Sequence, residues 1–199
     1  FVSATMMEKL MTRHGQKEEV VDQLRKTVRD RIERGDLPSD ETNPSERALE
    51  AINTSSFKGA YYPDHLVDFL KSMIAEYNQI DTNNIAISAG STQALTILSQ
   101  VSGREGTILA SELTFDTHLQ LAKNSGARII RVKDNQDLSI DLKSIESLSK
   151  NNVSAVFIVN PNNPSGMIID PTILRETIKR ISQKTLVVID EAYNEVSAD

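Results

Sequence analysis

The 199-residue chain has no cysteine and three histidines. The first absence excludes a disulfide scaffold, a thiolate metal site and cysteine nucleophilic catalysis within it. Three scattered histidines argue against a His-rich metal site. No apolar run approaches the ~18 residues of a membrane-spanning helix. The start, Phe1 to Met7, lacks a charged segment followed by an apolar core, so no targeting segment is read there. Basic residues are also in deficit: 22 Lys+Arg face 28 Asp+Glu, a formal net charge of -6. That balance disfavours a nucleic-acid footprint, although backbone N–H groups can still bind a phosphate-bearing small molecule.

What is there reads as a globular protein, 39% hydrophobic and 25% charged. A cytoplasmic location is the expectation. The length suits one large domain, or one plus an extension. The chain opens without Met and stops at Asp199 just after a strand-like run, which suggests an excerpt of something longer.

Residues Glu18 to Arg34 place Val21, Leu24, Val28 and Ile32 at helical spacing, with acids early and arginines late, as a helix dipole favours. Pro38 to Asn43 reads as a linker. Asn43-Pro44-Ser45-Glu46 predicts a short helix capped by Asn43 with Pro44 at its first position. Leu66, Phe69, Leu70, Met73, Ile74 and Tyr77 fall on one face of an amphipathic helix. From Ile85 the texture changes. Candidate strands are Ile85–Ala89, Thr107–Ala110, Arg128–Val132, Val153–Asn160 and Leu186–Asp190, and helical patterns fall at Thr92–Val101, Phe115–Lys123, Leu142–Lys150 and Thr172–Ser182. The last has Asp170 as its cap and Pro171 at the first position. Alternation of this kind predicts an α/β domain of three layers, a mostly parallel sheet with helices on both faces.

Ligands of such sheets sit beyond the carboxyl ends of the strands. After Ile85–Ala89 come Gly90-Ser91-Thr92-Gln93 and a helix, which offer a phosphate cradle of free N–H groups or simply a glycine turn and a cap. The Rossmann and Walker fingerprints are absent. Phe115, after the next strand, offers a ring face to a planar ligand or fills the core. Asn160-Pro161-Asn162-Asn163-Pro164-Ser165-Gly166 fixes an irregular backbone with amide side chains, as a rigid turn or a ligand contact. Asp190 ends an apolar strand and needs a partner, because an uncompensated carboxylate there is costly. A protonated heterocycle nitrogen, a helix cap and a metal each qualify.

Taken in order and spacing, Gly90-Ser91-Thr92-Gln93-Ala94-Leu95, Thr114-Phe115, Asn160 to Gly166 and Asp190-Glu191-Ala192-Tyr193 resemble the class I/II aminotransferases of the fold type I pyridoxal-phosphate enzymes. The histidinol-phosphate aminotransferase-like branch is nearest, through Tyr61-Tyr62-Pro63-Asp64. The resemblance covers roughly Asn43 to Asp199. It implies residues 43–199 as part of the large cofactor-binding domain, and residues 1–42 as a helical N-terminal arm and linker.

The same resemblance implies a cofactor, pyridoxal 5'-phosphate (PLP), and a reaction exchanging an amino group between an amino acid and a 2-oxo acid. Ser91 and Thr92 would bind the cofactor phosphate, and Phe115 would stack on the pyridine ring. Asn163 and Tyr193 would hydrogen-bond the ring's 3-oxygen. Asp190 would pair with the protonated ring nitrogen, which makes the ring a better electron sink. Tyr62 would reach the phosphate in a neighbouring subunit, which implies a homodimer. Asp190 and Tyr193 are thus the candidate catalytic residues.

One departure is sharp. The lysine that forms the Schiff base in this family lies beyond the Asp-Glu-Ala-Tyr motif, and no lysine follows Asp190 here; Lys179 and Lys184 precede that strand. The small C-terminal domain and the arginine that grips the substrate carboxylate are missing too. An N-terminal portion of an aminotransferase, inactive alone, is therefore the leading expectation. A PLP-dependent decarboxylase or β-lyase of the same fold, and a non-catalytic truncated relative acting as a binding module, are the alternatives. No metal, nucleic acid or membrane partner is expected.

Overall fold

A computed structural model describes residues 45–56, 62, 64–104 and 106–196. They fall into two compact units that divide between Ser88 and Ala89. The helix expected over Glu18 to Arg34 lies outside the described residues.

The first unit carries helix α1 (Glu46–Ser55), helix α2 (Asp64–Asn78) and a 3-10 turn, Thr82–Asn84. The cap of α1 is Ser45, not Asn43: the Ser45 hydroxyl oxygen accepts from the Ala48 N–H at 3.2 Å. Asn43 and Pro44, expected as cap and first helical residue, lie outside the described residues. Helix α2 forms where the periodicity places it, but its stripe of Leu66, Phe69, Leu70, Met73 and Tyr77 is exposed. Ile85–Ala89 is not a strand. The segment is extended at Ile85 but joins no ladder, since β-propensity has structural effect only where a neighbouring strand supplies hydrogen bonds.

The second unit is a three-layer α/β sandwich. Its elements run α3 (Gly90–Gly103), β1 (Thr107–Ser111), α4 (Thr117–Asn124), β2 (Arg128–Val132), α5 (Leu142–Ser149), β3 (Ala155–Val159), α6 (Pro171–Ile181) and β4 (Leu186–Asp190). The four strands pair in parallel in the order β2-β1-β3-β4. Register aligns Ile108 with Ile129 and Ala155, and Val159 with Asp190.

Alternating residues of each strand feed opposite cores. Ile108, Ala110, Ala155, Phe157 and Val188 pack with Leu95 of α3 and with Leu119 and Ala122 of α4. On the other face Leu109, Val156 and Ile158 pack with Ile145 of α5 and with Leu174 and Ile181 of α6. Strands buried on both faces read as continuous apolar runs, which is why AVFIV at β3 carries no polar residue. Helix α6 begins as its sequence requires: Asp170 Oδ1 accepts from Thr172 and Ile173 N–H at 2.9 and 3.0 Å, with Pro171 at the first position.

Gly103 closes α3 where there is no room for a side chain. A Cβ at that position would stand 2.8 Å from both the Ala127 Cβ and the Ile108 Cδ1. Gly103→Ala should therefore lower unfolding free energy by about 1–3 kcal/mol through overpacking, despite alanine's better helix propensity. Urea denaturation of the two proteins checks it.

Candidate functional site

Strand order fixes where a ligand can lie. From β1 the chain moves outward to β2, then returns past β1 to β3 and continues to β4. The helix after β1 joins one core and the helix after β3 joins the other. The strand order thus reverses between β1 and β3, and the carboxyl ends of those two strands are where a ligand crevice is expected in such a sheet. Helix α3 presents its N-terminus to the same edge, because its last residue, Gly103, packs at the opposite end against Ile108.

Two loops line the crevice and grip each other. The Thr114 hydroxyl donates to Asn162 Oδ1 at 3.2 Å. Asn162 Nδ2 donates to the Leu113 carbonyl and to Ser165 Oγ, both at 2.9 Å. Gly166 closes the turn at φ +69 and donates its N–H to the Asn162 carbonyl at 2.7 Å, a left-handed conformation that glycine adopts at no steric cost. Asn160 Oδ1 accepts from the Ile169 N–H at 2.8 Å, which ties the loop's exit to its entry. The Asn-Pro punctuation thus builds a fixed platform, its three asparagines each with a different task.

Asn163 projects from that platform, and its Nδ2 donates to the Tyr193 hydroxyl at 3.3 Å across 30 residues of sequence. Tyr193 sits just past β4 and is 39% exposed. Asp190, the last residue of β4, is buried, and its Oδ1 accepts from the Ala192 N–H at 3.1 Å. Its Oδ2 has no hydrogen-bond partner among the described residues. Such a carboxylate oxygen can accept from a bound ligand, and a protonated ring nitrogen is a suitable donor.

Phe115 is half-buried and stacks on His118, with ring centroids 5.9 Å apart and planes 26° from parallel. His118 in turn lies 5.0 Å from Phe157. Neither nitrogen of this buried imidazole has a hydrogen-bond partner among the described residues. Its pKa is lowered from 6.5 to about 4, chiefly by burial and then by the Arg131 charge, with Asp116 opposing. The ring is therefore neutral at pH 7, a polar spacer in an otherwise apolar stack.

Arg131 bridges the crevice wall, donating to the Ser111 carbonyl at 3.2 Å and to Asp116 at 2.9 Å. Partial burial lowers the guanidinium pKa, and Asp116 offsets part of that cost.

Of the residues expected from the sequence, the structure joins Asn163 to Tyr193 directly and sets Phe115 and Asp190 at the same sheet edge. Ser91 and Thr92 lie exposed in the first turn of α3, whose cap position, Ala89, supplies no side-chain acceptor. No hydrogen bond joins either of them to Asn163, Asp190 or Tyr193. Tyr62 is 93% exposed in the first unit. Asn162 stands within the expected Asn160–Gly166 motif, but its amide bonds Thr114, Leu113 and Ser165 rather than facing outward, whereas Asp134 and His118 lie outside the motifs. Asp134 stands two residues past β2, where reading each strand's carboxyl end reaches it. No group of three or more metal-ligating side chains occurs among the described residues, and no described helix is long and apolar enough to cross a membrane.

This fold and site define a class. The chain belongs to the class I and II aminotransferases, whose family model matches residues 32–199. Among its relatives, a histidinol-phosphate aminotransferase of Campylobacter fetus is 32% identical over 152 residues, covering 76% of this chain and 42% of that protein. Another, from Psychrobacter arcticus, is 36% identical over 141 residues, covering 69% of this chain and 37% of that protein. The chain thus spans about two fifths of the length of these relatives. A histidinol-phosphate aminotransferase of Sinorhizobium meliloti, solved in complex with pyridoxal-5'-phosphate, superposes with a TM-score of 0.73 at 25% identity, over 78% of this chain and 43% of that one. An L-threonine-O-3-phosphate decarboxylase of Porphyromonas gingivalis shares the fold at 20% identity, a TM-score of 0.67, and coverage of 80% and 48%.

Proposed function

We propose that these residues form part of the cofactor pocket of a PLP-dependent aminotransferase, which exchanges an amino group between an amino acid or its phosphorylated amine analogue and a 2-oxo acid. The observation that carries this reading is the buried Asp190 carboxylate, whose Oδ2 is unengaged among the described residues, together with the Asn163–Tyr193 pair. The donor set fits the cofactor: a carboxylate for a pyridinium N–H, an amide and a phenol for a phenolate oxygen, and an aromatic ring for the ring face.

PLP, when bound, supplies an electron sink for the substrate Cα carbanion. Asp190 holds a proton at the ring nitrogen. Asn163 and Tyr193 bind the ring 3-oxygen, and Phe115 packs on the ring. Ser91 and Thr92 bind the phosphate with N–H groups and hydroxyls at the start of α3, where the helix dipole favours an anion. Tyr62 contacts the phosphate held by a second copy, so the working unit is a homodimer, located in the cytoplasm. Residues 43–199 belong to the large domain, and 1–42 form an arm before it. The lysine that attaches the cofactor lies outside residues 1–199, so amino transfer belongs to the longer protein.

The names of the relatives make histidinol phosphate the first amino donor to test. With PLP bound to the full-length protein, histidinol phosphate should convert the cofactor to its amine form, and 2-oxoglutarate should reverse the change. Release of carbon dioxide from a phosphorylated amino acid, without that conversion, would identify a decarboxylase and overturn the reading.

A further inference from the structure

Asp134 is a buried carboxylate that none of the roles above uses. It follows β2, and both of its oxygens reach across to the end of β1. Oδ1 accepts from the Ser111 hydroxyl, and Oδ2 accepts from the Leu113 N–H at 2.9 Å. Leu113 is also held from the other side, since its carbonyl accepts from Asn162 Nδ2 at 2.9 Å. One peptide segment is thus clamped at N–H and C=O by two buried side chains from two different loops. Two residues further on stands Phe115, and one residue beyond Asn162 stands Asn163.

We propose that Asp134 is a positioning residue of the cofactor pocket: by fixing Leu113 against Asn162 it sets the placement of the Phe115 ring and couples it to that of Asn163. The proposal rests on the reading of the pocket as a PLP site and adds to it a residue outside the recognised motifs. A positioning role is expected to be steep. A ring displaced by about 1 Å loses much of its contact with a planar ligand, because a bound geometry is productive only within a narrow range.

The chemistry also says which substitutions should be tolerated. Asparagine can keep Oδ1 as acceptor for the Leu113 N–H and offer its NH2 to Ser111, whose hydroxyl rotates to accept and to donate to the Leu113 carbonyl, 3.4 Å away. Alanine offers neither. Hydrogen bonds to Leu113 and Ser111 are what the asparagine variant keeps and the alanine variant loses.

The test uses the full-length protein, with PLP as the probe. In Asp134→Ala the dissociation constant for PLP, read by fluorescence quenching, should rise about 10-fold, and the induced circular dichroism of the bound cofactor should shrink. In the cofactor-free protein, Leu113 amide hydrogen exchange should accelerate by at least about 10-fold. Asp134→Asn should stay within about 3-fold of the parent in all three. Ser111→Ala removes one bond, leaves the carboxylate its Leu113 partner and should fall between the two, so the test survives if the alanine variant at 134 does not fold. Folded Asp134→Ala with unchanged PLP affinity and dichroism overturns the proposal, as does an asparagine variant as impaired as alanine. If the parent protein binds no PLP, the reading of the pocket fails, and the exchange rates alone then decide whether Asp134 holds the loop.

Discussion

Asp190→Ala in the full-length protein is expected to reduce amino-transfer turnover by about 100-fold or more. Losing a hydrogen bond to a charged group costs about 1.5–3 kcal/mol, which is ~10- to 100-fold in rate when the bond matters in the transition state. The ring nitrogen would also lose the charge that keeps it protonated, which weakens the electron sink itself. Stability should move little by comparison. The Asp190 side chain makes a single hydrogen bond within the described residues, to the Ala192 N–H, so alanine costs about 1 kcal/mol of folding free energy. Asp190→Asn separates charge from shape: it keeps an acceptor for Ala192 and loses the ability to stabilise a pyridinium. Turnover measured beside urea denaturation checks both halves, and a variant that unfolds in proportion to its loss of rate would show Asp190 to be structural.

The second large effect concerns His118 and needs no cofactor. Its imidazole has a pKa of about 4 in the folded protein against 6.5 when unfolded. The unfolded chain therefore binds more protons between those values, and stability falls as pH drops through that window. Above pH 6.5 the ring is neutral in both states and nothing is lost. Between pH 6.5 and 4 the penalty grows to about 3 kcal/mol, at ~1.4 kcal/mol per pH unit, and stays constant below. Asp137 and Asp141 have their pKa values lowered by hydrogen bonds from Ser139 and Ser144, so their contributions disappear only at more acid pH. His118→Leu should flatten the dependence between pH 6.5 and 4. At pH 7 it should be neutral or stabilising, because two unpartnered buried nitrogens are removed. Chemical denaturation at pH 4.5 and 7 for both proteins decides it; an unchanged slope in the leucine variant contradicts the assignment.

How much of this could be read from residues alone follows a physical boundary. Four of the five expected strands form; the central β3, AVFIV, is the clearest, because a continuous apolar β-branched run has few alternatives once buried on both faces. Helix α6 was fully legible, since its cap, proline and basic last turn are local signals. Ile85–Ala89 fails for the opposite reason: pairing is a property of a partner strand, and its own residues do not contain one. Helix α1 shows the usual ambiguity of neighbouring capping residues, where Asn43 and Ser45 both suit and geometry chooses Ser45.

The site divides in the same way. Asn163, Tyr193, Phe115 and Asp190 stand in motifs whose spacing survives in sequence. Asp134 and Asn162 act through contacts 21 and 49 residues apart in the chain, which no local pattern encodes. His118 lies three residues past Phe115 on a short helix, where its sequence context, Asp116-Thr117-His118, looks like an exposed first turn. Only the packing of Phe115 and Phe157 on either side shows it to be buried.

The claim that Asp190 holds a proton on the cofactor's ring nitrogen is tested most directly by nitrogen-15 NMR of the full-length protein loaded with PLP labelled at that atom. At pH 8 the resonance should lie at the position of a protonated pyridine, and in Asp190→Asn it should move to that of a neutral one. A neutral pyridine signal in the parent protein, or a protonated one that persists in the variant, would contradict the role assigned to Asp190.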